Sequence, residues 1–364
     1  MNPAIQKTLT LIFLIVIGYF LKQKIKSKDQ LKGIKILILS IALPAMIFVA
    51  LLKIKIEPSL FYLPFIALGI NFVMFFIAKW SIPLFGIEKN SHDARTWMML
   101  MPSLAPGLSC FPFLIEYASE ESLALAALAD VGNKVFVLIV LYLLAMRWYY
   151  RIQDLEKQSS SEKVKNLLLS LIKEPVNAVI IIAILMLVFG LNLASLPIFL
   201  QDSISRMSLL MTPMVLLFIG MAVRIDWRQF RKIGMLLAFR SACAFLISAT
   251  LLFILPASVP VAMLIVAVAF PQSATSFWPF AHISAVADAE GEQKKTFNTD
   301  LALNILALSL PFSTVTILAI CSLQTFFLNP IYLLLIGLIL LLIAILPRIV
   351  LQLKASGKLL FSEG

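Results

Sequence analysis

Apolar residues run along this chain in long blocks, separated by short polar stretches that are rich in lysine and arginine. Blocks of this length predict helices that cross a bilayer, since a hydrocarbon core of about 30 Å takes roughly 20 residues of helix. They lie at 8–21, 34–52, 58–78, 97–115, 122–146, 176–198, 207–223, 233–255, 258–281, 299–325 and 330–347. The pattern therefore predicts an all-α integral membrane protein. Two blocks differ from the rest. Residues 101–113 read MPSLAPGLSCFPF and residues 269–280 read AFPQSATSFWPF. Proline removes a backbone donor and clashes with the preceding turn, so these two helices are predicted to break. In a membrane the freed backbone groups must be covered by protein or line a wet cavity. Pro106, Gly107 and Pro112 mark the first break, Pro271 and Pro279 the second. Paired breaks at corresponding places in two halves point to a transporter's binding site; ordinary proline kinks are the simpler alternative.

The polar stretches orient the chain. Residues 21–35, LKQKIKSKDQLKGIK, carry six lysines. Placing them in the cytoplasm puts the N-terminus outside and the C-terminus inside, by the excess of basic residues in cytoplasmic loops. With eleven spans this sorts 24 basic residues inside against four outside (Lys7, Lys53, Lys55 and Arg206), and leaves Lys134 and Arg240 within spans. Arg240 is expected to snorkel toward the cytoplasmic face.

Composition agrees: 61% of the 364 residues are hydrophobic, 13% are charged, and the mean hydropathy is +0.99. The net charge of +11 is spread over short loops, which argues against a nucleic-acid partner. Cys110, Cys243 and Cys321 sit in apolar blocks at unrelated spacings, and His92 and His282 are far apart; no disulfide framework, metal site or cofactor is expected.

The two halves echo one another. Pro44 in the second span is followed after 62 and 68 residues by Pro106 and Pro112; Pro213 in the seventh is followed after 58 and 66 by Pro271 and Pro279. Five spans per half is an odd number, so the second half enters the membrane in the opposite sense, which makes an inverted repeat. Residues 1–150 form the first five-helix unit and 175–326 the second. Between them, 151–174 is a cytoplasmic linker whose apolar face at Val164, Leu167, Leu168 and Leu171 predicts either an interfacial helix or the cytoplasmic end of the sixth span. Residues 327–364 add one helix and a cytoplasmic tail.

Taken together, the ILSIALP run with Pro44, the proline-broken fourth span, ALADVGNK at 127–134, TPMVLLFIGMAV at 212–223 and AFPQSAT at 269–275 resemble the auxin efflux carrier family of membrane transporters, in its bacterial branch. The resemblance covers roughly residues 5–320. It implies ten core helices in two inverted five-helix repeats, with the fourth and ninth crossing at their breaks, and export of small organic anions. The family's fourth span typically holds an Arg-Asn pair before the break; here MLMPSLAPGLSCFP has neither.

The candidate residues follow from polarity inside the spans. Asp130 and Lys134 are one turn apart, which permits an ion pair on one helix face, and Asn133 lies beside them. Embedded charges mark either a structural pair or a functional site. The functional reading makes Asn133 a substrate ligand and Asp130 with Lys134 the coupling site for H+ or Na+. Gln272, Ser273, Thr275 and Ser276, with Ser109 opposite and Asn304 in the tenth span, would bind substrate near exposed half-helix N-termini that favour a carboxylate. Helix–helix contact by small polar residues is the structural alternative. Asn71 is expected to make only a helix–helix hydrogen bond. The leading expectation is a secondary transporter exporting a small organic anion by alternating access; it meets lipid on its outer faces, with a homodimer a possible assembly. The alternatives are a solute channel or sensory module and, less favoured, a membrane enzyme, for which no catalytic constellation is found.

Overall fold

A computed structural model describes residues 3–25, 27–52, 58–153, 175–222, 227–256, 258–290 and 295–360. Every regular element among them is helical. Seven helices are long and apolar enough to span a bilayer: Gly33–Leu51, Leu60–Phe85, Glu120–Ile152, Ile198–Met221, Ile233–Ile254, Val261–Ala287 and Thr299–Ser322. Leu9–Leu21, Ala178–Val188 and Pro330–Leu346 are shorter apolar helices. With the interrupted fourth segment, these correspond to the eleven predicted blocks. The linker helix expected at 164–171 lies outside the described residues.

In chain order the elements are α1 (Pro3–Leu21), α2 (Lys28–Leu37), α3 (Leu43–Leu51), α4 (Leu63–Ser81), α5 (His92–Leu100), α6 (Pro106–Ser109), α7 (Phe111–Tyr117), α8 (Glu120–Val135) and α9 (Leu141–Ile152). Then come α10 (Pro175–Val188), α11 (Ile198–Leu209), α12 (Met211–Ala222), α13 (Trp227–Ile254), α14 (Val261–Ala269), α15 (Phe277–Ala289), α16 (Thr299–Ser322), α17 (Gln324–Phe327) and α18 (Pro330–Leu360). Several boundaries differ from the expectation, two of them where the sixth and seventh spans meet. The sixth span ends at Val188, because a left-handed Gly190 (φ 70°) turns the chain, and the seventh begins at Ile198, nine residues before 207.

Two helices carry a one-turn π stretch. Ile38–Ala42 joins α2 to α3 just before Pro44, and Phe136–Val140 joins α8 to α9 just after Lys134. The first widening lets the helix continue past a residue with no N–H. At the second, the ring of His282 on α15 donates from Nε2 to the Val137 carbonyl at 3.0 Å.

The helices pack in two groups. In one, α1 lies along α12, and α3 lies against α10 and α11. Gly18 and Gly220 face each other in the α1–α12 contact; a Cβ on Gly18 would meet the Leu217 carbonyl oxygen at 2.2 Å. In the other, α8 packs on α4 and α14, and α16 packs on α5, α13 and α15. Gly132 on α8 is pressed so tightly on α4 that a Cβ there would lie 1.8 Å from the Pro64 carbonyl oxygen. The last helix, α18, packs extensively along α13.

Candidate functional site at the crossing of two broken helices

The fourth span stops at Met101, resumes for one turn at Pro106–Ser109, bends again at Cys110 and continues as α7. The ninth stops after the Phe270–Gln272 turn, runs extended from Ser273 to Ser276, and resumes as α15 with Ser276 as its N-cap. Four of the five predicted break residues border these interruptions. Pro279 does not: it is the third residue of α15, where a first-turn N–H has no intrahelical partner to lose. The extended residues 273–276 before it, and residues 102–105 in the fourth span, are the broken positions.

The two interruptions meet. The Ala105 N–H donates to the Ala274 carbonyl at 2.8 Å, so backbone joins backbone across the crossing. Ser109 Oγ accepts from the Ala274 N–H at 2.9 Å, and Ser103 Oγ accepts from the Ser276 N–H at 3.1 Å. Each broken helix thus supplies acceptors for donors that the other leaves free.

Neighbouring helices satisfy nearly everything else. Asn71 Nδ2 on α4 donates to the Pro102 carbonyl at 2.6 Å. Asn133 clamps Leu104 from both sides: its Oδ1 accepts from the Leu104 N–H at 3.2 Å, and its Nδ2 donates to the Leu104 carbonyl at 2.9 Å. The same amide accepts from Asn71 Nδ2 at 3.1 Å and donates to Asp130 Oδ1 at 2.8 Å. All four hydrogen-bonding positions of Asn133 are therefore occupied by protein. Asp130 Oδ2 lies 3.7 Å from Lys134 Nζ, and both residues are buried. Asn71 Oδ1 is a buried acceptor with no hydrogen-bond partner among the described residues.

In the second half, Gln272 and Ser241 pair twice: Ser241 Oγ donates to Gln272 Oε1 at 2.7 Å, and Gln272 Nε2 donates to the Ser241 carbonyl at 3.0 Å. From α16, Ser309 Oγ accepts from the Thr275 N–H at 3.2 Å and lies 2.6 Å from Thr275 Oγ1, while Ser313 Oγ donates to the Gln272 carbonyl. Ser273 Oγ turns back to the Phe270 carbonyl. Asn304 is half-buried earlier in α16. At the start of α15, the Lys35 ammonium sits 4.1 Å from the centre of the Phe277 ring.

Arg240 does not snorkel. It lies seven residues, about 10 Å at 1.5 Å per residue, inside the start of the apolar stretch Ile233–Ile254 of α13, close enough for its side chain to reach that end, yet it turns the other way. It is 4% exposed and bonds inward, Nε to the Met101 carbonyl at 3.0 Å and Nη2 to the Ser103 carbonyl at 2.9 Å. A guanidinium there complements the negative end of the α5 dipole. Ser241, Ser309 and Ser313 were not singled out from the sequence, whereas Asn71 makes the expected helix–helix bond, to Asn133, and adds one to the Pro102 carbonyl. The Ser309–Ser313 spacing of one turn on an apolar helix is the signal that could have found that pair.

Buried polar side chains arranged around two interrupted helices, inside a bundle apolar enough to span a bilayer, define a multi-pass membrane protein of the solute-transporter class. Residues 3–303 match the family model described as membrane transport protein; the chain belongs to that family, within the auxin-efflux superfamily of transporters. Its work is membrane transport and not catalysis. No curated protein matches the chain. Among the described residues, no group of three or more His, Cys, Asp and Glu side chains could hold a metal ion.

Proposed function

We propose that the protein is a secondary transporter that exports a small organic anion of carboxylate type across the cytoplasmic membrane of a prokaryote, as a bacterial-branch member of its superfamily. The observation that carries this reading is the tie between the two breaks, Ala105 N–H to Ala274 C=O, with Ser103 and Ser109 bonded across it. A crossing held this way brings both half-helix starts and a set of buried hydroxyls and amides to one place, where an anion can be bound without bulk water.

In this reading the two halves are inverted five-helix repeats, with the N-terminus outside and the C-terminus in the cytoplasm. The crossed helices and their partners move against the group built from the first, second, sixth and seventh spans, which exposes the crossing alternately to each side. Asn133, Ser109, Gln272, Ser273, Thr275, Ser276 and Asn304 contact the substrate at some stage of that cycle. In the conformation described here Asn133 and Gln272 bond protein groups, so substrate binding exchanges these bonds for bonds to ligand. Asp130 with Lys134 is the place for H+ or Na+ to act: neutralising Asp130 would loosen its hold on Asn133 and hence on Leu104. A homodimer through lipid-facing surfaces is compatible with this scheme.

The test uses purified full-length protein in proteoliposomes. Uptake of labelled monocarboxylates should saturate and show counterflow, and Gln272→Ala with Ser273→Ala should abolish it while the protein remains folded. Flux that neither saturates nor shows counterflow would support a channel instead.

A further inference from the structure

Charge is distributed unevenly around the crossing. Lys134 has the Asp130 carboxylate 3.7 Å away. Arg240 is as deeply buried, and no carboxylate lies within ion-pair distance of it among the described residues. Its Nε and Nη2 reach two carbonyls at the end of α5. Of its five N–H groups, the other three make no hydrogen bond to a described residue. A buried cation inside an apolar span with no carboxylate beside it is costly, and such residues are rare outside functional sites. Arg240 is also wired to a second electropositive element. It holds the Ser103 carbonyl, and Ser103 Oγ accepts the N–H of Ser276, the N-cap of the 13-residue helix α15. The guanidinium and the positive end of the α15 dipole therefore flank the same residue.

We propose that Arg240 is the positive charge with which the crossing recognises its ligand: a carboxylate group docks on the guanidinium N–H groups not used by Met101 and Ser103, beside the start of α15. This rests on the transport reading above for the identity of the site, and gives that site its charge selectivity. Asp130 and Lys134 cancel one another, so Arg240 sets the sign.

The experiment measures binding to purified full-length protein in nanodiscs, using acetate, benzoate and succinate, each beside its neutral amide. Two variants are compared. Arg240→Gln keeps donors for the two carbonyls without the charge, and Arg240→Lys keeps the charge without the planar fork. At least one acid should bind wild type in preference to its amide. Arg240→Gln should weaken that binding roughly 10- to 100-fold, the range for losing a charge-assisted hydrogen bond, with little change in Tm; Arg240→Lys should weaken it less. Equal binding of acid and amide, no binding of any acid, or an unchanged affinity in a folded Arg240→Gln overturns the proposal. Should Arg240→Gln fail to fold, phenylglyoxal labelling of wild type decides. Slower labelling of Arg240 in the presence of the bound acid supports the proposal, and unchanged labelling overturns it. The two readings fail separately. Acids that bind through Arg240 but show no counterflow sink the transport reading alone. Counterflow of a neutral solute that survives in Arg240→Gln sinks this inference alone.

Discussion

The fifth and eighth spans both place a cation deep in the bundle, and they treat it in opposite ways. On α8 the cation comes with its own carboxylate, and the hydrogen bonds run from Asp130 through Asn133 to the backbone of Leu104. That cluster is neutral in sum, and every atom of the Asn133 amide is engaged. On α13 the cation stands beside the neutral pair of Ser241 and Gln272 and bonds to backbone carbonyls alone. Both clusters grip the break of the fourth span, one at Leu104 and the other at Met101 and Ser103. One fastens it, and the other fastens it while leaving charge unspent. Under the proposed role of Arg240 the two clusters divide the labour: the one on α8 supplies rigidity and the one on α13 ligand selectivity.

The largest expected effect tests the rigid side. Gly132→Val should prevent folding or lower yield drastically, because the added carbons must displace the Pro64 backbone and not a flexible side chain. Size-exclusion profile and helical circular dichroism would report it. Next, Asn133→Ala leaves the Leu104 N–H and C=O unpaired, at a cost of about 1–3 kcal/mol for each buried group. A clear fall in Tm checks this, and an unchanged Tm would remove Asn133 from its role as clamp. Asp130→Asn is the sharpest probe of the comparison itself, because it removes the carboxylate 3.7 Å from the first half's cation. It should lower stability by about 3 kcal/mol or more, as for breaking a buried pair, yet raise carboxylate affinity in the protein that folds. Weaker carboxylate binding would break the proposed division. Ser309→Ala removes both contacts to Thr275 and should cost about 1–2 kcal/mol. Smallest, Phe277→Leu removes the ring beneath Lys35 and should cost about 0.5–1 kcal/mol by thermal unfolding.

Much of this architecture was legible from residue order. Blocks of apolar residues gave the spans, and Pro106 and Pro271 gave the breaks, since each signal is local: a run length, a missing N–H, a cluster of small polar side chains. The partners of the breaks were not legible. Asn71 is 62 residues from Asn133, and Arg240 is 139 from Met101; contacts at such separations leave no periodic trace. The start of the seventh span was misplaced for a local reason: Gln201, Asp202 and Arg206 make the start of α11 look like loop.

The bond from Ala105 to Ala274 also bears on how the chain comes to be folded at all. Ribosomes deliver the first five spans well before the eighth and ninth, so for that interval the Ala105 N–H and the carbonyls of Met101 and Ser103 lack the partners that the second half supplies. Translocon or chaperone must shelter them until the second polypeptide half arrives. A gene split within 154–174 should consequently yield pieces that are degraded singly and rescued when co-expressed, each acting as the other's folding template.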